Sequence, residues 1–244
     1  MYYEVTGSGS PVVVIPGGMM TIDQIGGFIG ALAKTRRVIA IEPQAHGRTA
    51  DINRPMTYEG MADDVAALIE ELGLAPTDVC GFSVGAGIAL QTAIRHPQLV
   101  RKVVFLSGVF KGDGEYAELR AIVSTFVPDH PMLAGLRQAY VKAAGAEDGW
   151  ATLVEKMRQL IGLSYDWSAE VSALAAPTLI VAGDCDTQPV AHAREMYALL
   201  GGETSAIAMG GNARAQLAVL PGTNHFAFMQ RVDLLGPIVS GFLG

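Results

Sequence analysis

The feature that most constrains the fold of this 244-residue chain is an alternation between short apolar runs and segments with helical periodicity. Six runs read as strands: Val12–Ile15, Arg37–Ile41, Asp78–Phe82, Val103–Leu106, Thr178–Ala182 and Gln216–Leu220. Their polarity barely alternates along each run, which is typical of strands that are covered on both faces. The sequence therefore predicts an α/β fold with a doubly wound, mainly parallel sheet.

Helices are predicted between these runs. Tyr58–Leu72 carries apolar residues three and four positions apart and ends at Gly73, a residue type that commonly follows a helix. Val84–Arg95 is small and apolar, as a helix packed on a sheet would be, and Val190–Leu200 is a third helical segment. A glycine-rich polar stretch, Thr204–Arg214, is interpreted as a mobile surface loop.

One long segment breaks the alternation. No convincing strand is predicted between Gly108 and Ala176, where two amphipathic segments suggest helices. We therefore predict an α/β core formed by residues 1–107 and 177–244, with residues 108–176 as a helical cap insert over a site. The interpretation of this segment as a cap rests on analogy with other folds. The alternative is that these helices have only a structural role.

Composition limits the classes of function. Half of the residues are hydrophobic and 17% are charged, which indicates a compact globular protein. A formal net charge of -7 disfavours binding to nucleic acids and to anionic membranes. Two cysteines without metal-ligand spacing give no sign of a disulfide framework, a metal site or another cofactor. Without a visible signal peptide or membrane-spanning run, a cytoplasmic location is expected, and the oligomeric state stays open.

The segment Gly81–Gly85 fits the pattern G-x-S-x-G. It directly follows one predicted strand and directly precedes a predicted helix, as a nucleophile elbow requires. Glycines on either side of Ser83 allow the backbone to pass closely, so that the serine hydroxyl projects into a cleft. Ser83 is therefore the candidate nucleophile.

A serine hydroxyl needs a base, and the base needs a carboxylate to orient it. His225 follows the last predicted strand, whereas His46 precedes the nucleophile in the chain and is interpreted as a loop-shaping residue. After the Thr178–Ala182 strand come two carboxylates. We favour Asp186, which lies further into the loop, as the orienting acid, and expect Asp184 to bind loop amides.

Two backbone N–H groups are needed to stabilise the developing oxyanion. The amide of Val84, directly after the candidate nucleophile, is one predicted donor. The second is expected from Gly18 or Met19, in the glycine-rich turn that follows the first strong strand.

Taken together, these segments resemble the α/β-hydrolase superfamily, in its esterase, lactonase and cofactor-free haloperoxidase-like branch. The resemblance rests on the elbow, on Glu42–Thr49, on Arg95–Val100, on Pro177–Asp186 and on Gly222–Phe226, and it covers nearly the whole chain. It implies the α/β-hydrolase fold and the triad Ser83, Asp186 and His225. A serine at the elbow also argues against the members of this superfamily that use an aspartate there.

The predicted function is hydrolysis of a small or medium carboxylic ester, thioester or lactone through an acyl-enzyme on Ser83. The expected partner is a small-molecule substrate, and methionines and aliphatic residues near the site suggest an apolar pocket. Three alternatives stay open: a cofactor-free perhydrolase, a carbon–carbon bond hydrolase on the same triad, and a slow-turnover ligand-binding receptor.

Overall fold

The computed structural model describes residues 1–209 and 214–244. Its sheet has seven strands: β1 (Tyr2–Thr6), β2 (Pro11–Ile15), β3 (Arg37–Glu42), β4 (Thr77–Phe82), β5 (Val100–Leu106), β6 (Thr178–Cys185) and β7 (Ala215–Asn224). The strand order is β1-β3-β2-β4-β5-β6-β7. All neighbouring pairs are parallel except β1 with β3. The predicted α/β class with a mainly parallel sheet is therefore confirmed.

Ten α-helices lie in the described part of the chain: α1 (Gly26–Leu32), α2 (Tyr58–Glu71), α3 (Val84–Arg95), α4 (Ala117–Ser124), α5 (Ala134–Ala144), α6 (Trp150–Ile161), α7 (Ser168–Ala173), α8 (Val190–Leu199), α9 (Ser205–Ala208) and α10 (Val232–Leu243). Successive side chains of a strand point to opposite faces of the sheet, so each strand contributes to two cores. One core packs the sheet against α2, α3 and α8, and the other packs it against α1 and α10. Helices on both faces make the sheet doubly wound.

The strand register brings the carboxyl ends of the central strands to one level. Ile15 pairs with Gly81, Gly81 pairs with Phe105, and Phe105 pairs with Ile180. The residues that follow these positions therefore emerge together at one edge of the sheet, where ligands bind in open α/β sheets.

Some strands and helices of the structure were not predicted from the sequence. The edge strand β1 has only Tyr2 and Glu4 partly buried, so it shows no continuous apolar run. The helix α1 contains three glycines and α10 contains Gly236 and Pro237, residue types that weaken a helical pattern. Within the stretch predicted as a loop, Ser205–Ala208 forms α9, and residues 210–213 lie outside the described residues.

Four helices, α4 to α7, occupy the segment between β5 and β6. An isolated bridge between Lys111 and Asp166 joins the two ends of this segment. The helix α6 is also attached to the loop after β3, because Lys156 Nζ donates to both carboxylate oxygens of Asp51, each at 2.7 Å. Whether this segment acts as a cap stays a prediction.

Candidate active site

The turn at Ser83 has the strained geometry that a nucleophile elbow requires. Ser83 lies between β4 and α3 with φ 55° and ψ -120°, a left-handed φ that residues with a side chain seldom adopt. A side chain at Gly81 would collide with the backbone of Gly85, and one at Gly85 would collide with the backbone of Pro16. These two glycines therefore let α3 start directly above the sheet edge and hold the Ser83 hydroxyl at that edge.

The structure brings Ser83, Asp186 and His225 together from three different strand ends. His225 Nε2 lies 3.0 Å from Ser83 Oγ, and His225 Nδ1 lies 2.8 Å from Asp186 Oδ1. The ring of Phe82 stacks on the His225 ring at a centroid distance of 5.0 Å, which limits rotation of the imidazole. This arrangement can pass a proton from the serine to the histidine while the carboxylate orients the ring.

The two carboxylates after β6 have different partners. Asp186 is buried and accepts hydrogen bonds from the amides of Gly183 at 3.1 Å and Thr187 at 2.8 Å. Burial opposes its ionisation, but the hydrogen bond and charge of His225, together with hydrogen bonds from Ser107 and Gly183, outweigh burial and hold the pKa of Asp186 below its usual value. Asp184 instead accepts hydrogen bonds from the amides of Gly222 at 3.0 Å and Thr223 at 3.1 Å.

Ser107 also reaches this cluster, and it was not predicted from the sequence. Its Oγ lies 2.8 and 2.7 Å from the two carboxylate oxygens of Asp186 and 2.8 Å from His225 Nδ1. A hydroxyl has one proton to donate. With a proton on His225 Nδ1, which lies 2.8 Å from both Asp186 Oδ1 and Ser107 Oγ, the Ser107 hydroxyl can donate its own proton to Asp186 Oδ2. The missed signal was positional: Ser107 directly follows β5, between the elbow strand and the acid strand.

The two predicted sources of the second oxyanion donor differ in the structure. The Met19 amide donates to His46 Nε2 at 3.0 Å, so Met19 does not have a free donor and that part of the prediction needs correction. Gly18 lies against Val84, since an added Cβ on Gly18 would be 3.1 Å from Val84 Cγ2. The Val84 amide belongs to the first turn of α3, where N–H groups lack an intrahelical acceptor. Gly18 and Val84 are thus the candidate donor pair.

His46 is buried in the loop after β3 and supports the Met19 turn. Its Nδ1 lies 2.9 Å from the carbonyl oxygen of Gln44, so Nδ1 carries the proton and Nε2 accepts. Burial lowers the pKa of His46 to about 4. The imidazole is therefore neutral at pH 7, and its role is to shape the loop.

Ser83 opens onto two compartments. The larger, an outer cleft of about 430 Å³, has an apolar lining. Its apolar side chains are Met20, Phe82, Met132, Leu136, Phe226 and Met229. Leu133 and Met157, in the segment predicted as a cap, are buried in the core and do not line this cleft. The smaller, an inner pocket of about 50 Å³, contains Tyr58, Ser107, Glu115 and Tyr165.

Comparison with known proteins agrees with this geometry. A family model described as the alpha/beta hydrolase fold matches residues 10–165. The chain belongs to the α/β-hydrolase fold family. Like the members it resembles, it is a hydrolase.

Individual relatives span most of the chain or nearly all of it. A 2-hydroxymuconate semialdehyde hydrolase from Pseudomonas sp. (strain CF600) is 28% identical, with 98% of this chain and 88% of that protein covered. A pyrrolizixenacetamide deacetylase from Xenorhabdus hominickii is 24% identical over 73% of this chain and 74% of that protein. The solved enol-lactonase of Burkholderia xenovorans LB400 superimposes with a TM-score of 0.75 at 21% identity, covering 99% and 95% of the two chains. The last likeness concerns the fold alone.

No helix in residues 1–209 and 214–244 has both the length and the apolar character needed to cross a bilayer.

Proposed function

We propose that this hydrolase cleaves small or medium carboxylic esters, thioesters or lactones through an acyl-enzyme on Ser83. The observation that carries the proposal is the continuous chain of contacts from Ser83 Oγ to His225 Nε2, at 3.0 Å, and from His225 Nδ1 to Asp186 Oδ1, at 2.8 Å. Each contact has the length of a hydrogen bond through which a proton can be moved or held.

In the proposed mechanism, His225 takes the proton of Ser83 as its oxygen attacks the carbonyl carbon. The amides of Val84 and Gly18 stabilise the negative charge on the carbonyl oxygen. His225 then gives its proton to the leaving alcohol and activates a water molecule, which releases the acid and restores Ser83. Asp186 holds the imidazole orientation and stabilises its positive charge. These residues supply every proton transfer, so we propose no cofactor or metal.

The test is hydrolysis of p-nitrophenyl acetate, butyrate and octanoate by the wild type, Ser83→Ala and a matched control, Ser172→Ala, on the exposed surface of α7. We expect turnover by the wild type and the control, and loss of roughly 10³-fold or more in Ser83→Ala. Equal activity of the two alanine variants would contradict the acyl-enzyme on Ser83.

A second candidate, carbon–carbon bond hydrolysis on the same residues, is favoured by the relative named for 2-hydroxymuconate semialdehyde. Incubation of the wild type with that compound distinguishes the two functions. Turnover of the semialdehyde without turnover of the nitrophenyl esters would replace the ester proposal.

The proposal includes a small-molecule substrate and a cytoplasmic location, without a nucleic-acid or membrane partner. The net charge of -7 supports the first exclusion and disfavours anionic membranes. Fractionation of cells that express the protein at its natural level would test the location.

A further inference from the structure

The two compartments that meet at Ser83 differ in size and chemistry. The outer cleft of about 430 Å³ is lined mainly by apolar side chains. The inner pocket of about 50 Å³ combines apolar residues, such as Val109 and Ile161, with the polar side chains of Tyr58, Glu115 and Tyr165. A carbonyl attacked by Ser83 carries two groups, and this division gives each of them a separate environment.

The position of His225 assigns the two groups. His225 lines the outer cleft, and it must reach the leaving oxygen to protonate it. The leaving alcohol therefore occupies the outer cleft, and the acyl group points into the inner pocket. A space of about 50 Å³ exceeds the roughly 10–15 Å³ that one water molecule needs, but it is too small for a long acyl chain.

Glu115 gives the inner pocket an acceptor. Burial raises the pKa of its carboxyl group, with His225 and Arg120 acting in the opposite direction. No lysine or arginine lines either compartment within the described ranges. A substrate carboxylate in the inner pocket would thus lie beside the carboxyl group of Glu115. It would lose its hydration there without a lysine or arginine in the pocket wall to pair with it.

The surrounding aromatic rings hold the pocket in shape. Tyr165 stacks on Trp167 at a centroid distance of 4.3 Å, and Tyr58 packs edge-on against both rings at 5.4 and 5.1 Å. Tyr58 and Trp167 are each 5% exposed. A wall of this kind cannot easily widen, so acyl groups are selected by size as well as by polarity.

We propose that the inner pocket is the acyl subsite and that Glu115 in it selects short acyl groups bearing a hydroxyl or amino hydrogen-bond donor, while excluding acyl groups that bear a carboxylate. This inference rests on the proposed ester hydrolysis and names its substrate class.

The test compares four esters of one apolar alcohol: benzyl acetate, benzyl glycolate, benzyl glycinate and the monobenzyl ester of malonate. The enzymes are the wild type, Glu115→Gln and the matched control Glu118→Gln, which removes an exposed carboxylate three residues away. For the wild type we expect kcat/KM on glycolate and glycinate to exceed that on acetate by about tenfold, with malonate lowest. In Glu115→Gln the glycinate-to-malonate ratio should fall at least about tenfold, while Glu118→Gln keeps the wild-type ratio.

The outcomes separate this inference from the proposed function. Ser83-dependent hydrolysis of benzyl acetate with the same glycinate-to-malonate ratio in the wild type and Glu115→Gln would overturn the role of Glu115 and leave the ester mechanism standing. If the wild type cleaves none of the four esters, hydrolysis of the p-nitrophenyl esters still tests the mechanism on its own, and binding decides the subsite. In that case glycinamide should raise the melting temperature of the wild type more than malonamate does, and Glu115→Gln should lose this difference. Equal shifts in the two proteins would overturn the inference.

Discussion

At the scale of single residues, the site contains one further polar side chain, Ser107, beside Ser83, Asp186 and His225. Ser107 is 2% exposed and adopts φ 50°, a conformation that costs energy for any residue with a side chain. Its hydroxyl contacts both Asp186 and His225. We interpret Ser107 as a positioning residue, because its hydroxyl lies within hydrogen-bond distance of the orienting carboxylate and of the imidazole.

Ser107→Ala is expected to lower kcat by about tenfold with little change in KM, since it removes one hydrogen bond to the charged Asp186. Steady-state kinetics on p-nitrophenyl acetate would measure both parameters. Ser107→Gly is the matched control, because it also lacks the hydroxyl but relieves the backbone strain. Retained activity in Ser107→Gly together with loss in Ser107→Ala would show that the backbone conformation matters rather than the hydroxyl.

The two carboxylates after β6 give a second prediction at this scale. Asp186→Asn should lower kcat by a factor on the order of 10⁴, as loss of the orienting acid does in serine hydrolases. Asp184→Asn keeps an oxygen that can accept from the Gly222 and Thr223 amides, so a loss below about tenfold is expected. Burst kinetics with p-nitrophenyl acetate would follow acylation in both variants. A larger loss in Asp184→Asn would reverse the assignment.

At the scale of elements, Lys156 makes the polar contacts that join α6 to the loop after β3, beside the apolar side chains that α6 buries in the core. Lys156 Nζ donates to Asp51 and also to the carbonyl oxygens of Ile52 and Arg54, at 3.0 and 2.8 Å. Both charged side chains are partly buried, at 17% and 25% exposure. The ammonium group thus holds the loop after β3 against a helix of the segment between β5 and β6.

Lys156→Met should lower the free energy of unfolding by about 1–2 kcal/mol, because it removes the charged hydrogen bonds of the ammonium group to partly buried acceptors while keeping most of the apolar stem. Urea unfolding at pH 7 measures this change. Lys142→Met, at an exposed position near the end of α5, is the matched control and should change the free energy by less than about 0.5 kcal/mol. Equal effects of the two substitutions would show that the Lys156 contacts do not stabilise the fold.

At the scale of the whole molecule, two buried histidines make stability depend on pH. His46 Nε2 accepts from the Met19 amide, and His192 Nε2 accepts from the Phe110 amide at 3.2 Å. Burial lowers the pKa of each from 6.5 to about 4. Between these values the unfolded chain binds protons that the folded chain does not, so acid favours unfolding.

Each neutral histidine therefore makes its full contribution to the free energy of unfolding above about pH 6.5, and this contribution is lost as the pH falls toward about 4. Each histidine should contribute a slope of roughly 1.4 kcal/mol per pH unit within this window. Urea unfolding between pH 7 and pH 5 would measure the slope for the wild type and for His192→Gln. We expect His192→Gln to be less stable at pH 7 and to have a shallower slope. An unchanged slope would contradict the coupling to His192.

The class of fold and the elbow at Ser83 can be predicted from the order of residues alone. Buried parallel strands need continuous apolar runs. The apolar run before Ser83 and the helical pattern after it involve neighbouring residues only, so both can be recognised in the sequence. Helix α3 has the predicted bounds, Val84–Arg95. The half-exposed edge strand β1 and the glycine-containing α1 and α10 were not predicted, because their patterns are weak without the sheet against which they pack.

Which side chains meet in the site depends on how the strands and helices pack in three dimensions. Ser107 and Asp186 are 79 positions apart, and His225 is 142 positions from Ser83. Their contacts depend on the order and register of strands, which bring distant strand ends to one edge. In the same packing the Met19 amide donates to His46, and Gly18 lies beside Val84. It also places Glu115 in the inner pocket. Periodicity reports the burial of single positions, whereas the convergence of distant groups is a property of the folded chain.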